Sequence, residues 1–247
     1  MDLMIDNIAQ FKVFFDVIYD MASELVELQL YTDRLVCAML DRTKTRFFHV
    51  EYDIDFFENY NVTEEVSVVV YVEDIHKLLK SANNSDILSL QVNDPYLVAK
   101  LESKNGNTRL FEFVLPSDFI DSPAPPHADF PVEFEVGVGG LKQGVKDIGL
   151  LGSDLISFVV TGDKLTLNTS TEITTLYASE MDINTIKADN ATASFTLDYI
   201  SQMLKFDKIS KNVRIKIGED MPIFYYFNDD IMGVKVSGMI APRISED

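Results

Sequence analysis

The sequence predicts an α+β fold of two similar tandem domains, each with two helices packed on a largely antiparallel sheet. Three observations lead to this prediction. A proline-rich stretch divides the 247-residue chain near its middle, and segments of the two halves align with each other, the first of them without a gap. Each half also changes its apolar period from that of a helix to that of a strand, in the same order.

The proline-rich stretch predicts a connector. Five of the eight prolines fall within the acidic residues 116–131. Proline fixes one backbone dihedral and removes a hydrogen-bond donor, so such a stretch is typical of an extended segment between domains. The sequence therefore predicts an N-terminal domain over residues 1–116, an interdomain linker over 117–131 and a C-terminal domain over 132–247.

The alignment of the two halves indicates an internal duplication. A shift of 130 residues places 11–35 on 141–165, and a shift of 125 residues places 72–80 on 197–205. Apolar positions and single charges both match: Asp33, for example, falls on Asp163. The two halves are therefore expected to fold alike.

Each half begins with a helix, because apolar residues step by three and four from Ile8 to Ala22 and from Val138 to Ile148. A hairpin follows, with its turn at Asp33 in one half and at Gly162-Asp163 in the other. The second helices are predicted at 73–83 and 198–208, where acidic residues suit the positive end of a helix. Further strands are predicted at 66–70, 87–92, 97–102, 109–115, 193–196, 213–217, 223–227 and 233–239.

Composition narrows the function. Apolar residues make up 47% of the chain and charged residues 25%, as in folded globular proteins. The chain has only 21 Lys and Arg residues against 40 Asp and Glu residues. The resulting net charge of −19 argues against a protein that coats nucleic acid or a membrane surface. Cys37 is the only cysteine, which excludes an intrachain disulfide and indicates an intracellular protein. We expect no membrane span, because no apolar run approaches roughly 18 residues.

No catalytic motif is recognisable. His49, His76 and His127 have no partners at metal-ligand spacing. The glycines of 137–144 fit neither phosphate-loop pattern. We therefore predict no enzymatic activity, no cofactor and no metal. An enzyme on a duplicated α+β fold remains an alternative, and it would need a cluster of perturbed titratable groups in a pocket.

Lysines recur in pairs on the predicted helices. The members of each pair are three or four residues apart, so they lie on one side of the helix, away from its apolar stripe. In a chain this acidic, the recurrence predicts a positive helical surface suited to a polyanion. The pairs are Lys77 and Lys80, Lys142 and Lys146, and Lys205 and Lys208.

Four segments carry a resemblance to a known family: Leu35–Asp41 followed by Arg42-Thr43, the linker, Gly218–Pro222, and the ending Met239–Ile244. In these segments the chain resembles the DNA polymerase sliding clamps of the proliferating cell nuclear antigen (PCNA) type, most closely the archaeal ones. The likeness covers the whole chain. It departs from the family at Lys44, where many relatives have histidine. It departs again in the first helix, where Lys12 is the only base.

The resemblance implies a ring of three chains with the DNA clamp fold, in which twelve helices surround duplex DNA without reading its sequence. Such a ring tethers the replicative DNA polymerase, and it binds the clamp loader, flap endonuclease and ligase through short docking motifs. It needs no cofactor and no membrane. The implied location is cytoplasmic and nucleoid-associated in an archaeon, or nuclear in a eukaryote. An acidic DNA mimic or scaffold that never encircles DNA is the alternative.

The resemblance also assigns residues to three surfaces. The surface facing DNA would carry Lys12, Lys77, Lys80, Lys142, Lys146, Lys205, Lys208 and Lys211. The pocket for partner motifs would comprise Leu40, Phe119, Ile120, Pro222, Met239, Ile240, Ala241 and Pro242. The subunit interface would join the edges near 108–115 and 172–178, through Arg109, Leu110, Phe111, Ile173, Leu176 and Tyr177.

Overall fold

The computed structural model describes residues 1–117, 120, 122–124, 127–170 and 176–244, and only the backbone of Ser170 and Leu176. The chain forms two compact units. Unit 1 comprises Met1–Arg42, His49–Pro125 and Asn228–Val236, and unit 2 comprises Thr43–Phe48, Pro126–Phe227 and Ser237–Asp247. The short segments 43–48 and 228–236 are thus grouped apart from their own sequence half. The domain bounds 1–116, 117–131 and 132–247 stay a prediction.

Unit 1 contains two α-helices, α1 (Ile8–Asp20) and α2 (Val72–Ser81), and a single 3₁₀ turn at Ile54–Phe56 among its described residues. Its strands are β1 (Asp2–Ile5), β2 (Leu25–Leu30), β3 (Arg34–Leu40), β4 (Arg46–Asp53), β5 (Asn59–Asn61), β6 (Val66–Tyr71), β7 (Ile87–Asn93), β8 (Tyr96–Glu102) and β9 (Thr108–Val114). The first residues of β4 belong to unit 2.

Two sheets make up the β-structure of unit 1. One has five strands in the order β5-β1-β7-β8-β9, and the other places β4, β3, β2 and β6 side by side. β7 and β8 pair antiparallel, with Leu90 opposite Ala99, and so do β2 and β6, with Leu28 opposite Val68. β9 ends the first sheet, so one of its sides has no neighbouring strand among the described residues.

Unit 2 repeats this arrangement. Its helices are α3 (Val138–Leu150) and α4 (Leu197–Met203), and α4 continues as a 3₁₀ turn over Leu204–Lys208. Its strands are β10 (Val132–Gly137), β11 (Leu155–Thr161), β12 (Lys164–Ser170), β13 (Leu176–Asp182), β14 (Asn184–Lys187), β15 (Ala191–Thr196), β16 (Asn212–Ile217), β17 (Ile223–Asp229) and β18 (Val234–Ile240). The last residues of β17 and the first residues of β18 belong to unit 1. One sheet has the order β13-β12-β11-β15, and the other runs β14-β10-β16-β17-β18.

The two first helices are packed in different ways. α1 is buried around most of its circumference, because Val13, Phe14 and Val17 are buried in addition to the predicted stripe. Its rings contact one another: the centroids of Phe14 and Phe15 are 4.7 Å apart. α3 instead approaches its sheet through glycine, since a Cβ on Gly144 would lie 2.6 Å from Cδ1 of Leu167. A larger residue at Gly144 would displace that buried side chain.

The predicted fold class is confirmed. The predicted hairpins correspond to β2-β3 and β11-β12, with Leu30 opposite Leu35 and Thr161 opposite Lys164. The first helix is shorter than predicted: it ends at Asp20, and Ala22 has a φ of +54°, outside the helical region. The fourth helix is divided into α4 and the 3₁₀ turn. The periodicity argument missed β1, β4, β5, β10, β13 and β14.

Candidate nucleic-acid interface and docking surface

The lysines of α2 lie where the sequence places them. Lys77 and Lys80 are exposed, whereas Ile75, Leu78 and Leu79 are buried on the other side of the helix. The Nζ atom of Lys77 is 2.6 Å from a carboxylate oxygen of Glu73, one turn earlier. The hydrogen bond to Glu73 raises the pKa of Lys77. Part of the positive charge of α2 is therefore balanced within the helix.

The lysines of unit 2 form a larger group. Lys142 and Lys146 are exposed on α3, and Lys208 is exposed on the 3₁₀ turn, where Lys205 is half-buried. Asp207 links the two elements, because its carboxylate lies 2.6 Å from the Nζ atom of Lys142. Lys211 is 3.8 Å from the same carboxylate. Asp207 thus brings together two of the predicted DNA-facing lysines, Lys142 and Lys211.

α1 contributes little positive charge. Lys12 is half-buried and is the only base of the helix, beside Asp16 and Asp20. Asp16 is 3.1 Å from Nε2 of His76, whose ring stacks on Tyr19 with centroids 3.9 Å apart. Burial lowers the pKa of His76, although the Asp16 carboxylate acts in the opposite direction. His76 therefore acts as a packing residue between α1 and α2.

The helices as a group differ in charge from the rest of the chain. With the 3₁₀ turn at 204–208 included, they hold seven lysines and seven carboxylates, so they are balanced, while the whole chain has a net charge of −19. An anion therefore meets the least repulsion on the helices. Among the described residues, no group of three or more His, Cys, Asp or Glu side chains is arranged to hold a metal ion.

Two of the predicted docking residues line one cavity of unit 1. Leu40, which is 40% exposed, and Ile120 of the connector both border a cavity of about 240 Å³, which we call the Leu40 cavity. Phe119 lies outside the described residues. The other lining residues are Ser23, Leu25, Val26, Glu27, Ala38, Met39, Ser122 and Pro123.

The remaining predicted docking residues lie in unit 2. Pro222, Met239, Ala241 and Pro242 are half-buried. Ile240 is only 2% exposed, so its side chain offers little surface to a partner. The tail is held by hydrogen bonds: the amide of Ala241 donates to the carbonyl of Thr45 at 2.8 Å, and that of Arg243 donates to the carbonyl of Ser194 at 2.7 Å. These bonds fix Ala241 and Pro242 after β18 ends.

Those predicted subunit-interface residues that the structure describes lie on two strands at the ends of sheets, β9 and β13. On β9, Leu110 and Val114 are 63% and 61% exposed, whereas Phe111 is half-buried. Arg109 is engaged within unit 1, because its guanidinium lies 3.2 Å from the carboxylate of Asp86, which is only 1% exposed. A backbone hydrogen bond from Asn83 lowers the pKa of Asp86, and Arg109 contributes to this.

β13 ends the sheet β13-β12-β11-β15 of unit 2. The hydroxyl of Tyr177 donates to the Asp147 carboxylate of α3 at 3.1 Å. Ile173 lies outside the described residues, and the side chain of Leu176 is not described either. The sequence pattern predicted β9, and the family resemblance implied an edge near 172–178. The ion pair of Arg109 and the hydrogen bond of Tyr177 were not predicted, because their partners are remote in sequence.

Comparison with known proteins extends over the whole chain. No protein-family model matches it. The DNA polymerase sliding clamp of Methanothermobacter thermautotrophicus is 29% identical over 238 residues, which is 94% of this chain and 93% of the relative. That of Methanobrevibacter smithii is 28% identical over 239 residues, covering 96% and 95%.

Solved structures agree in fold. The PCNA2-PCNA3 complex of Sulfolobus tokodaii matches with a TM-score of 0.87 at 22% identity, covering 98% of this chain and 99% of that chain. A. fulgidus PCNA bound to the C-terminal region of FEN-1 matches with a TM-score of 0.87 at 20% identity, covering 100% and 99%.

Two units of this topology, each with two helices on antiparallel sheet, define a protein of the DNA clamp fold. Over its full length the chain is similar to DNA polymerase sliding clamps, and its structural neighbours are PCNAs. In the described part of the chain, no helix is both long and apolar enough to cross a membrane.

Proposed function

We propose that this protein is a DNA sliding clamp: three chains form a ring around duplex DNA and tether the replicative polymerase to its template. The observation that carries the proposal is the charge distribution. In a fold shared end to end with sliding clamps, exposed lysines are concentrated on helices, and the rest of the chain is strongly acidic.

The charge distribution accounts for sliding. Lysines attract phosphate through an interaction that is independent of sequence, because phosphates carry no base information. The acidic remainder repels DNA, so the helical surface offers its only favourable path. A polymerase held on such a ring rebinds at high effective concentration, which raises processivity without any chemistry by the clamp. The protein is therefore a processivity factor and not an enzyme.

The Leu40 cavity is the proposed docking surface of unit 1. Leu40 and Ile120 offer apolar surface of the kind that receives aliphatic and aromatic anchors from a short helical motif. Polymerase, clamp loader, flap endonuclease and ligase are the proposed partners. A structural relative carries the C-terminal region of FEN-1, which supports the flap endonuclease in particular.

Ring closure is proposed to pair β9 of one subunit with β13 of the next. A terminal strand presents unpaired backbone groups, and the exposed Leu110 and Val114 add apolar surface on β9. A location on the cell's DNA, cytoplasmic and nucleoid-associated, is part of the same proposal.

Solution mass and DNA retention together test the function. We expect light scattering to give about three times 27.9 kDa. We also expect the ring, once loaded on nicked circular DNA, to remain bound and to slide off after the circle is cut. A monomer that is not retained on either DNA would overturn the clamp and favour the acidic mimic. A trimer that is released equally from circular and linear DNA would overturn encirclement alone.

A further inference from the structure

We propose that Glu27 is a positioning residue for the docking surface: its carboxylate holds Ser122 of the connector and so fixes one wall of the Leu40 cavity. The inference deepens the proposed function and rests on it, since a positioned wall matters only if a partner docks there. It concerns residues of unit 1 alone.

The burial of Glu27 requires an explanation. It lies in the middle of β2, where Val26 and Leu28 are buried in the core. Because side chains alternate along a strand, Glu27 lies on the opposite face, with the half-buried Leu25 and Gln29. Glu27 is nevertheless only 5% exposed. A carboxylate is rarely covered to this extent unless hydrogen bonds compensate for the lost water.

The connector provides both the cover and a hydrogen bond. The hydroxyl of Ser122 donates to Oε2 of Glu27 at 2.5 Å. The side-chain amide of Gln29 donates to the same oxygen at 3.1 Å. A hydroxyl bonded to a carboxylate at this distance is charge-assisted, and such bonds are about twice as strong as neutral ones. The connector thus has a defined attachment point on β2, 95 residues away in sequence.

The attachment point lies between two cavities. Ser122 and Pro123 line the Leu40 cavity, and they also line a second cavity of about 320 Å³, which we call the Arg34 cavity. They therefore form the partition between an apolar compartment and a charged one. The Arg34 cavity is also lined by Gln29, Tyr31, Arg34, Val36, Ala38, His49, Glu51 and Ala124.

Holding the partition in place should strengthen docking. A proline-rich connector without an attachment would sample several positions, and a partner would have to order it on binding. The bond between Glu27 and Ser122 orders it beforehand, with Ile120 already at the cavity. We expect removal of either group to weaken docking by about five- to tenfold, which is within the range for a single hydrogen bond.

The experiment measures the affinity of a labelled synthetic peptide whose single helical turn presents an aliphatic anchor and aromatic anchors. Wild type is compared with Ser122→Ala, Glu27→Ala, the double variant and Glu27→Gln, which keeps an oxygen that can accept the Ser122 hydroxyl. Ser157→Ala is the matched control, because its hydroxyl is bonded to that of Ser194 at 2.7 Å in unit 2. Thermal unfolding checks each fold, and hydrogen exchange reports on the connector amides around Ser122.

We expect Ser122→Ala and Glu27→Ala each to lower the affinity for the peptide. The double variant should bind the peptide no more weakly than Glu27→Ala does, and the affinity of Glu27→Gln should stay within about twofold of that of wild type. Connector amides should exchange faster only in the variants that weaken docking. Wild-type affinity in a folded Ser122→Ala or Glu27→Ala would overturn the inference and leave the docking function intact. A wild-type protein that does not bind the peptide would instead overturn docking at this surface.

Discussion

α1 and α3 occupy equivalent places in the duplicated units, yet they fill them with different side chains. α1 carries three fully buried phenylalanines, and α3 carries four glycines. The shift of 130 residues that relates the units places Phe14 on Gly144. The duplication has therefore preserved the position of the helix and not the volume of its residues.

The volume missing from α3 is supplied by the sheet beneath it. Leu167 of β12 is fully buried, and its Cδ1 atom occupies the space that a side chain at Gly144 would need. The position aligned with Leu167 in unit 1 is Cys37, which is buried and smaller. A large residue and a small one have thus exchanged places, as expected if the total core volume is conserved.

The helices differ in charge in the same comparison. Those of unit 1 carry three lysines and four carboxylates, while those of unit 2, with the 3₁₀ turn, carry four lysines and three carboxylates. The contrast is sharpest at Asp16, which aligns with Lys146 and is paired with His76. The attraction to phosphate is therefore concentrated in unit 2.

The largest expected effect concerns the aromatic packing of α1. Phe14→Ala should lower the free energy of unfolding by about 3–5 kcal/mol, because the cavity it leaves is lined by rings that cannot collapse into it. Leu150→Ala is the control: Leu150 is 77% exposed in the last turn of α3, and its truncation should change stability by less than about 0.5 kcal/mol. Chemical denaturation measures both. Equal effects would show that α1 does not depend on its aromatic packing.

The second effect concerns DNA. Replacing Lys142, Lys146, Lys205 and Lys208 with Ala should weaken retention by at least about tenfold, and it should reduce the slope of log affinity against log salt by roughly 0.9 for each phosphate that is no longer neutralised. Replacing Lys12, Lys77 and Lys80 should have a smaller effect, because Lys12 is half-buried and Lys77 is paired with Glu73. Salt titrations with preformed rings on labelled duplex measure both sets. If the substitutions in unit 1 weakened DNA retention more than those in unit 2, the attraction to phosphate would have to be assigned mainly to unit 1.

The third effect separates two glycines of α3. Gly144→Ala should lower the free energy of unfolding by about 1–3 kcal/mol, because the new methyl group meets the buried Leu167. Gly139→Ala should raise the free energy of unfolding by about 0.5–1 kcal/mol, since a methyl there meets no atom of the described residues within 4 Å and alanine favours the helix. Combining Gly144→Ala with Leu167→Val should cost less than the sum of the two changes. Additive costs would show that these residues do not share the space.

The smallest effect is the pH dependence that His76 gives to unit 1, which unit 2 lacks because Ser201 occupies the aligned position. Burial lowers the pKa of His76 in the folded state, so the unfolded chain binds the proton more readily. Stability should therefore be full above the unfolded value of about 6.5 and should decline as the pH falls below it. His76→Gln should flatten this decline in denaturation experiments, whereas His127→Gln, at an exposed position, should not. An unchanged pH profile in His76→Gln would show that this histidine does not titrate on unfolding.

Much of the architecture follows from the sequence because periodicity is a local property. The steps of three and four in α1 and α3, and the alternation around Asp33 and Asp163, depend only on neighbouring residues. The lysine faces follow from the same geometry. Short strands such as β1 and β5 were missed, because three or four residues carry too few alternations to be distinguished from a loop.

By itself, the sequence determined the duplication, the order of helices and hairpins, the basic helix faces and the strand near β9. Only the tertiary structure decided which residues meet at long range: Glu27 with Ser122, Gly144 with Leu167, and Arg109 with Asp86. None of these contacts produces a periodic pattern in the sequence from which it could be predicted. A buried carboxylate such as that of Glu27 needs hydrogen-bond donors, and a glycine-rich helix such as α3 needs a larger side chain opposite it. Both requirements are met only when segments distant in sequence pack together.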